Sequence, residues 1–224
     1  MHQPLSHAAL ARGLPFALFM GLLALRGLLP ESWGLDARWI YGLSVLLVGA
    51  TLAWFWHDYG ELRRQNLPDR GELAGSMAVG LLVFAVWINL DAPWMQLGQP
   101  SATFVPLDAQ GQPEWALIAA RLVGAALLVP VMEELFWRGF LMRWVERADF
   151  EAQDPRRVGA RAVLISTFLF MLAHTLWLAA IVAGLAYAWL YRRSGKLWCA
   201  VIAHAVTNAA LGLWVIRTGQ WSFW

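Results

Sequence analysis

Apolar stretches alternate with short charged ones along the whole chain, running Leu14 to Leu29, Trp39 to Trp56, Leu73 to Leu90, Trp115 to Trp137, Ala162 to Tyr191 and Leu197 to Ile216. Most approach the ~20 residues a helix needs to cross ~30 Å of hydrocarbon. The pattern therefore predicts a polytopic bundle, all-α in class. Ala162 to Tyr191 is the exception, being too long for one ordinary span and too short for two full spans with a loop.

Charge resolves that stretch. Arg156, Arg157 and Arg161 precede it, while Arg192, Arg193 and Lys196 follow it. Basic residues favour the cytoplasmic side, so both ends face the cytoplasm and the chain crosses an even number of times. The expectation is a short helical hairpin turning near Thr175 to Leu178, with arms of about 14 residues, ~21 Å each. It would sit where the bilayer is thinned or filled by protein. Arg63, Arg64 and Arg70 mark a second cytoplasmic loop, whereas the connection from Asp91 to Glu114 has no Lys or Arg. About seven helices result, with the amino terminus cytoplasmic and the carboxyl terminus outside. Of the 17 basic residues only Arg26, Arg38, Arg121 and Arg217 fall off the cytoplasmic side. Arg121 reads as a snorkelling side chain and Arg26 as one reaching a headgroup.

Composition supports the membrane class, with 59% hydrophobic and 14% charged residues. Tryptophans near stretch ends, at positions 33, 39, 56, 94, 115, 198 and 214, suit the headgroup region. A net charge of +2 with a single Lys gives no basic patch for nucleic acid. Cys199, the one cysteine, has no partner for a disulfide or a zinc cluster. Arg12 precedes the first apolar run without a small-residue cleavage site, which reads as a retained first helix. Residues 1–114 would hold the amino-terminal transmembrane helices and 115–217 a transmembrane core, the two forming effectively one membrane domain. Trp144 to Arg161 reads as a cytoplasmic linker.

Ionisable side chains within transmembrane helices cost ~2.5 to 3.5 kcal/mol each and mark functional sites. Glu133, Glu134 and Arg138 lie on the fourth helix, Phe170 and His174 on the first hairpin arm, and His204 and Asn208 on the last helix. Residues four apart share a helix face, so Glu134 can pair with Arg138, and His204 and Asn208 can aim donors at one oxygen. Glu133 points ~100° away from Glu134, so the two carboxylates should have different jobs. Counted from the basic ends, Glu133, His174, His204 and Asn208 fall in a layer at or just cytoplasmic of the bilayer centre. The expected cavity therefore lies in the cytoplasmic half.

Glu133-Glu134-x-x-x-Arg138, Phe170-x-x-x-His174 and His204-x-x-x-Asn208 together resemble the three motifs of the CAAX protease and bacteriocin-processing family of glutamate-type intramembrane endopeptidases. The resemblance covers about Trp115 to Trp214 and implies packed helices around a cavity. It also implies cleavage near the carboxyl terminus of a membrane-associated or lipidated protein. In that reading Glu133 and His174 activate water, His204 and Asn208 stabilise the oxyanion, and Glu134, Arg138 and Phe170 support the site or position substrate. No cofactor is favoured; zinc, if bound, would take Glu133, His174 and His204, although no HExxH helix is present. Leu14-Pro15-Phe16 through Trp39, with Glu133 to Phe140, is also similar to the bacterial CAAX prenyl protease-related subgroup associated with exosortase-type protein sorting. That places the chain in a bacterial inner membrane, in contact with lipid, with its carboxyl terminus periplasmic. A non-catalytic scaffold or immunity protein of the same fold, and an ion- or proton-coupled transporter, are the alternatives. No internal repeat supports the transporter.

Overall fold

A computed structural model describes residues 6–29, 36–98 and 104–224; Trp33 lies outside them. Seven helices run through these residues: α1 (His7–Leu28), α2 (Trp39–Trp54), α3 (Arg70–Trp87), α4 (Trp115–Glu146), α5 (Ala160–Leu172), α6 (Trp177–Ser194) and α7 (Leu197–Thr218). No strand occurs among them. Helices α1, α3, α4 and α7 are long and apolar enough to cross a membrane, and the chain is a multi-pass membrane protein. Ser6 caps α1, and Asp69 and Glu72 form a capping box on α3. Gly195, at φ 74°, turns α6 sharply into α7.

Helix α4 is the central post, in contact with α1, α2, α5 and α7, while α3 packs on α6 and α7. Gly80 lets α3 approach α7 closely, since a Cβ there would run into the Ala203 carbonyl oxygen. The hairpin is present, but α5 has 13 residues and α6 has 18, and the break falls at 173–176 instead of 175–178. Its turn is roofed by the chain before it: Leu97 N donates to the Thr175 carbonyl at 2.8 Å and Trp177 Nε1 to that of Trp94 at 3.1 Å. Protein thus occupies the depth that the short arm leaves open.

The arginine-rich end is tied by ion pairs, buried at Arg12, Glu61 and Arg143 and partly exposed at Lys196. Arg12 forks onto Glu61 at 3.0 and 2.7 Å, Arg143 reaches the same carboxylate at 3.0 Å, and Lys196 holds Glu72 at 2.6 Å. At the opposite end Arg38 pairs with Asp36 and Glu114 and donates to the carbonyls of Val105 and Leu107. Its hydrogen bond holds the Asp36 carboxyl below the usual carboxylate range. Trp39, Trp56, Trp94 and Trp115 are exposed near helix ends, where headgroups would lie.

Candidate active site

Two prolines shape the backbone around the site, because each removes an N–H from a helix interior. In α1, Pro15 cannot bond the Ala11 carbonyl, which instead accepts from the Tyr59 hydroxyl at 2.9 Å. In α4, Pro130 follows a π-helical turn, Gly124–Leu128, in which Val129 N reaches back to Gly124 O. The next donor in that register would be Pro130 itself, so the Ala125 carbonyl is left free. Asn208 Nδ2 donates to it at 2.9 Å. The wider turn also slows the angular drift of residues four apart, and Arg121, Ala125, Val129 and Glu133 all face one cavity.

That cavity, of about 250 Å³, is lined by Glu133, His174, His204 and Asn208, the residues singled out from the sequence. Glu133 is buried, and its Oε2 has no hydrogen-bond partner among the described residues. Fully buried Glu134 points elsewhere: its Oε1 accepts from Arg138 Nη1 at 3.1 Å and lies 2.9 Å from His204 Nδ1. The two neighbouring carboxylates thus have the separate surroundings expected from their spacing. Arg138 also donates to the Gly184 carbonyl and lies over the Phe170 ring at 4.5 Å, linking α4 to both hairpin arms. His204 was expected to act alongside Asn208, and the structure adds its tie to Glu134.

His174 follows the end of α5. Its Nδ1 lies 2.7 Å from the Phe170 carbonyl, an acceptor only, so Nδ1 carries the hydrogen and Nε2 keeps its lone pair. The Phe170 and Trp87 rings flank the imidazole, with centroids 4.3 and 5.8 Å away.

Several residues of the site carry no motif. The Tyr187 ring stacks on His204 at 5.0 Å, and its hydroxyl donates to Thr207 Oγ1 at 2.8 Å. Thr207 in turn donates toward the Gly80 and Ala203 carbonyls at 2.8 and 3.0 Å, pinning α7 to α3. Tyr187 lies 17 residues before His204 in sequence, and no spacing rule connects them. Arg121 does not lie along the outside of α4. Its guanidinium stands 4.2 Å from the centre of the Tyr41 ring and faces the cavity.

The inner cavity continues toward one end of the bundle. A vestibule of about 370 Å³ shares Leu23, Trp87, Arg121, His174 and Trp224 with the inner cavity and continues to Arg26, Asp91, Gln96 and Ser222. These belong to the end of the bundle that carries few basic residues, not to the arginine-rich end assigned to the cytoplasm. The reason is the short α5, which places His174 at the hairpin turn. Glu134, Arg138 and Tyr187 close the inner end.

Among the described residues no three His, Cys, Asp or Glu side chains converge on a point where a metal ion could bind. Glu133, His174 and His204 as placed do not form the ligand set that zinc would need.

Residues 115–210 match the family model described as Rce1-like, Type II CAAX prenyl endopeptidase. This is the CAAX protease family that the motifs resemble, and the match contains all seven motif residues from Glu133 to Asn208. No curated protein and no solved structure matches the chain.

Proposed function

We propose that the protein is an intramembrane endopeptidase that hydrolyses a peptide bond near the carboxyl terminus of a membrane-associated or lipidated protein. The observation that carries this reading is that Glu133, free of any Arg partner, shares one buried cavity with His174, His204 and Asn208. A water between Glu133 and His174 Nε2 would give up its proton to them as its oxygen adds to the scissile carbonyl. His204 and the second amide hydrogen of Asn208 would meet the oxyanion; donors already fixed in a dry site stabilise developing charge without reorganising. An imidazole donating from Nε2 while Nδ1 donates to Glu134 is cationic, and the Glu134 carboxylate, shared with Arg138, would offset part of that charge. The captured proton then passes to the leaving nitrogen as the C–N bond breaks.

With the basic loops cytoplasmic, the amino terminus would lie in the cytoplasm and the carboxyl terminus in the periplasm of the bacterial inner membrane that the subgroup resemblance implies. With that orientation the vestibule opens outward, which suits the carboxyl-terminal tail of a translocated protein better than a cytoplasmic prenylated one. An exosortase-type sorting system would supply such substrates.

Cleavage of carboxyl-terminally tagged candidate substrates in membranes, by wild type and Glu133→Gln, with and without chelator, tests the reading. Loss in the variant with retention in chelator is expected. Equal cleavage by both proteins would remove Glu133 as the base, and loss in chelator would restore a metal to the mechanism.

A further inference from the structure

Arg121 lies on the boundary between the inner cavity and the vestibule and lines both. Arg26 lines the vestibule beside it, and the two guanidiniums stand 5.5 and 5.3 Å from the centre of the same Phe104 ring. Neither makes an ion pair with a carboxylate among the described residues, and the buried Arg121 Nε has no hydrogen-bond partner there. Among the described residues Asp91 is the one acidic residue of the vestibule lining. Leu23, Trp87, Phe223 and Trp224 supply apolar wall around the two cations. Two guanidiniums facing one vestibule of mixed polar and apolar lining, which leads to the reacting groups, make a site suited to an anion. They stand on the path by which anything reaches Glu133.

From this we infer that Arg121, with Arg26, binds a carboxylate of the peptide substrate and so sets where the chain is cut. The inference rests on the reading that Glu133 lies at the reacting centre. A planar guanidinium matches a carboxylate through paired hydrogen bonds, and the aromatic faces hold its plane. Arg121 and Glu133 are 12 residues apart on α4. As uninterrupted α-helix that is at most ~18 Å along the axis, or about five residues of extended peptide, and the π-helical turn between them shortens it. A terminal carboxylate held at Arg121 therefore places the scissile bond within about five residues of the substrate's end.

Binding by the full-length Glu133→Gln protein in detergent tests this without depending on turnover. The probes are an acetylated apolar pentapeptide with a free carboxyl terminus, its carboxyl amide, the amide with a terminal Glu, and dihexanoyl phosphatidylglycerol. The free acid is expected to bind tighter than the amide by on the order of ten- to a hundredfold, as loss of charged hydrogen bonds implies. Arg121→Gln should bring the two within about twofold, and Arg121→Lys should keep part of the preference. Recovered affinity in the Glu-terminated amide assigns the site to a side-chain carboxylate as well as a terminal one. Equal binding of acid and amide, or a preference that survives Arg121→Gln, overturns the inference. So does phosphatidylglycerol binding as tightly as the acid with the same Arg121 dependence, which would make this a lipid site. If instead Glu133→Gln still cleaves substrate while the acid preference stands, the catalytic reading fails and the carboxylate site remains.

Discussion

The Asn208 side-chain amide donates to the Ala125 carbonyl at 2.9 Å, and that carbonyl is free because Pro130 has no N–H to offer it. One of the two amide hydrogens is therefore spent on holding α7 against α4, and the other is left for an oxyanion. Asn208→Ala is expected to lower kcat by about a hundred- to a thousandfold. Stability should fall by only ~1 to 3 kcal/mol, the cost of an unpaired buried carbonyl. Turnover and thermal melting of the same preparation check both; unchanged kcat would leave Asn208 a packing residue.

The adjacent glutamates should fail in opposite ways. Glu134→Gln leaves Arg138 buried without its counter-charge and is expected to destabilise the protein by ~3 to 5 kcal/mol. Glu133→Gln disturbs no hydrogen bond or ion pair and should leave the melting temperature nearly unchanged while abolishing cleavage. Paired denaturation and activity measurements would show the crossing. A stable, active Glu134→Gln would contradict the buried ion network.

Vestibule sidedness can be read by chemistry. Cys199, the sole cysteine, is buried, so a cysteine placed at Thr175 or Ser222 is the single reactive thiol. A membrane-impermeant maleimide should label Thr175→Cys from the periplasmic side of intact spheroplasts. Labelling only after permeabilisation would reverse the orientation.

At the other end, Arg12 is buried against Glu61 and Glu151, and Arg143 shares Glu61. Arg12→Ala should cost ~3 to 5 kcal/mol by leaving Glu61 with half its partners. Arg12→Lys should recover only part of this, because one ammonium cannot replace the fork onto both oxygens. Chemical or thermal melts in detergent would show the ordering; equal stability of all three proteins would argue against a stapled end.

Much of the architecture was legible in the chain. Apolar run length located the helices, and like charges at both ends of Ala162 to Tyr191 required a hairpin there. Four-residue spacing paired Glu134 with Arg138 and separated Glu133 from both. These are local properties: helix length, face and charge depend only on residues near in sequence. The ordered motifs likewise pointed to the protease family before any fold was known.

Tertiary structure decided what depends on distant parts of the chain meeting. His204 meets Glu134 because α7 packs on α4, and Tyr187 stacks on His204 because α6 lies beside them; no interval in the sequence encodes either contact. The opening of the cavity at the end away from the arginine-rich loops follows from the short α5 and from the 91–97 segment that roofs its turn. Arg121 turns inward because a π-helical turn rotates its face toward Glu133 and Tyr41 receives its guanidinium. Pro130 and Pro15 lack an N–H in any fold. Only the packed bundle could say that Asn208 and Tyr59 would answer the carbonyls they leave free, since a freed backbone acceptor is satisfied by whichever side chain the fold brings within reach.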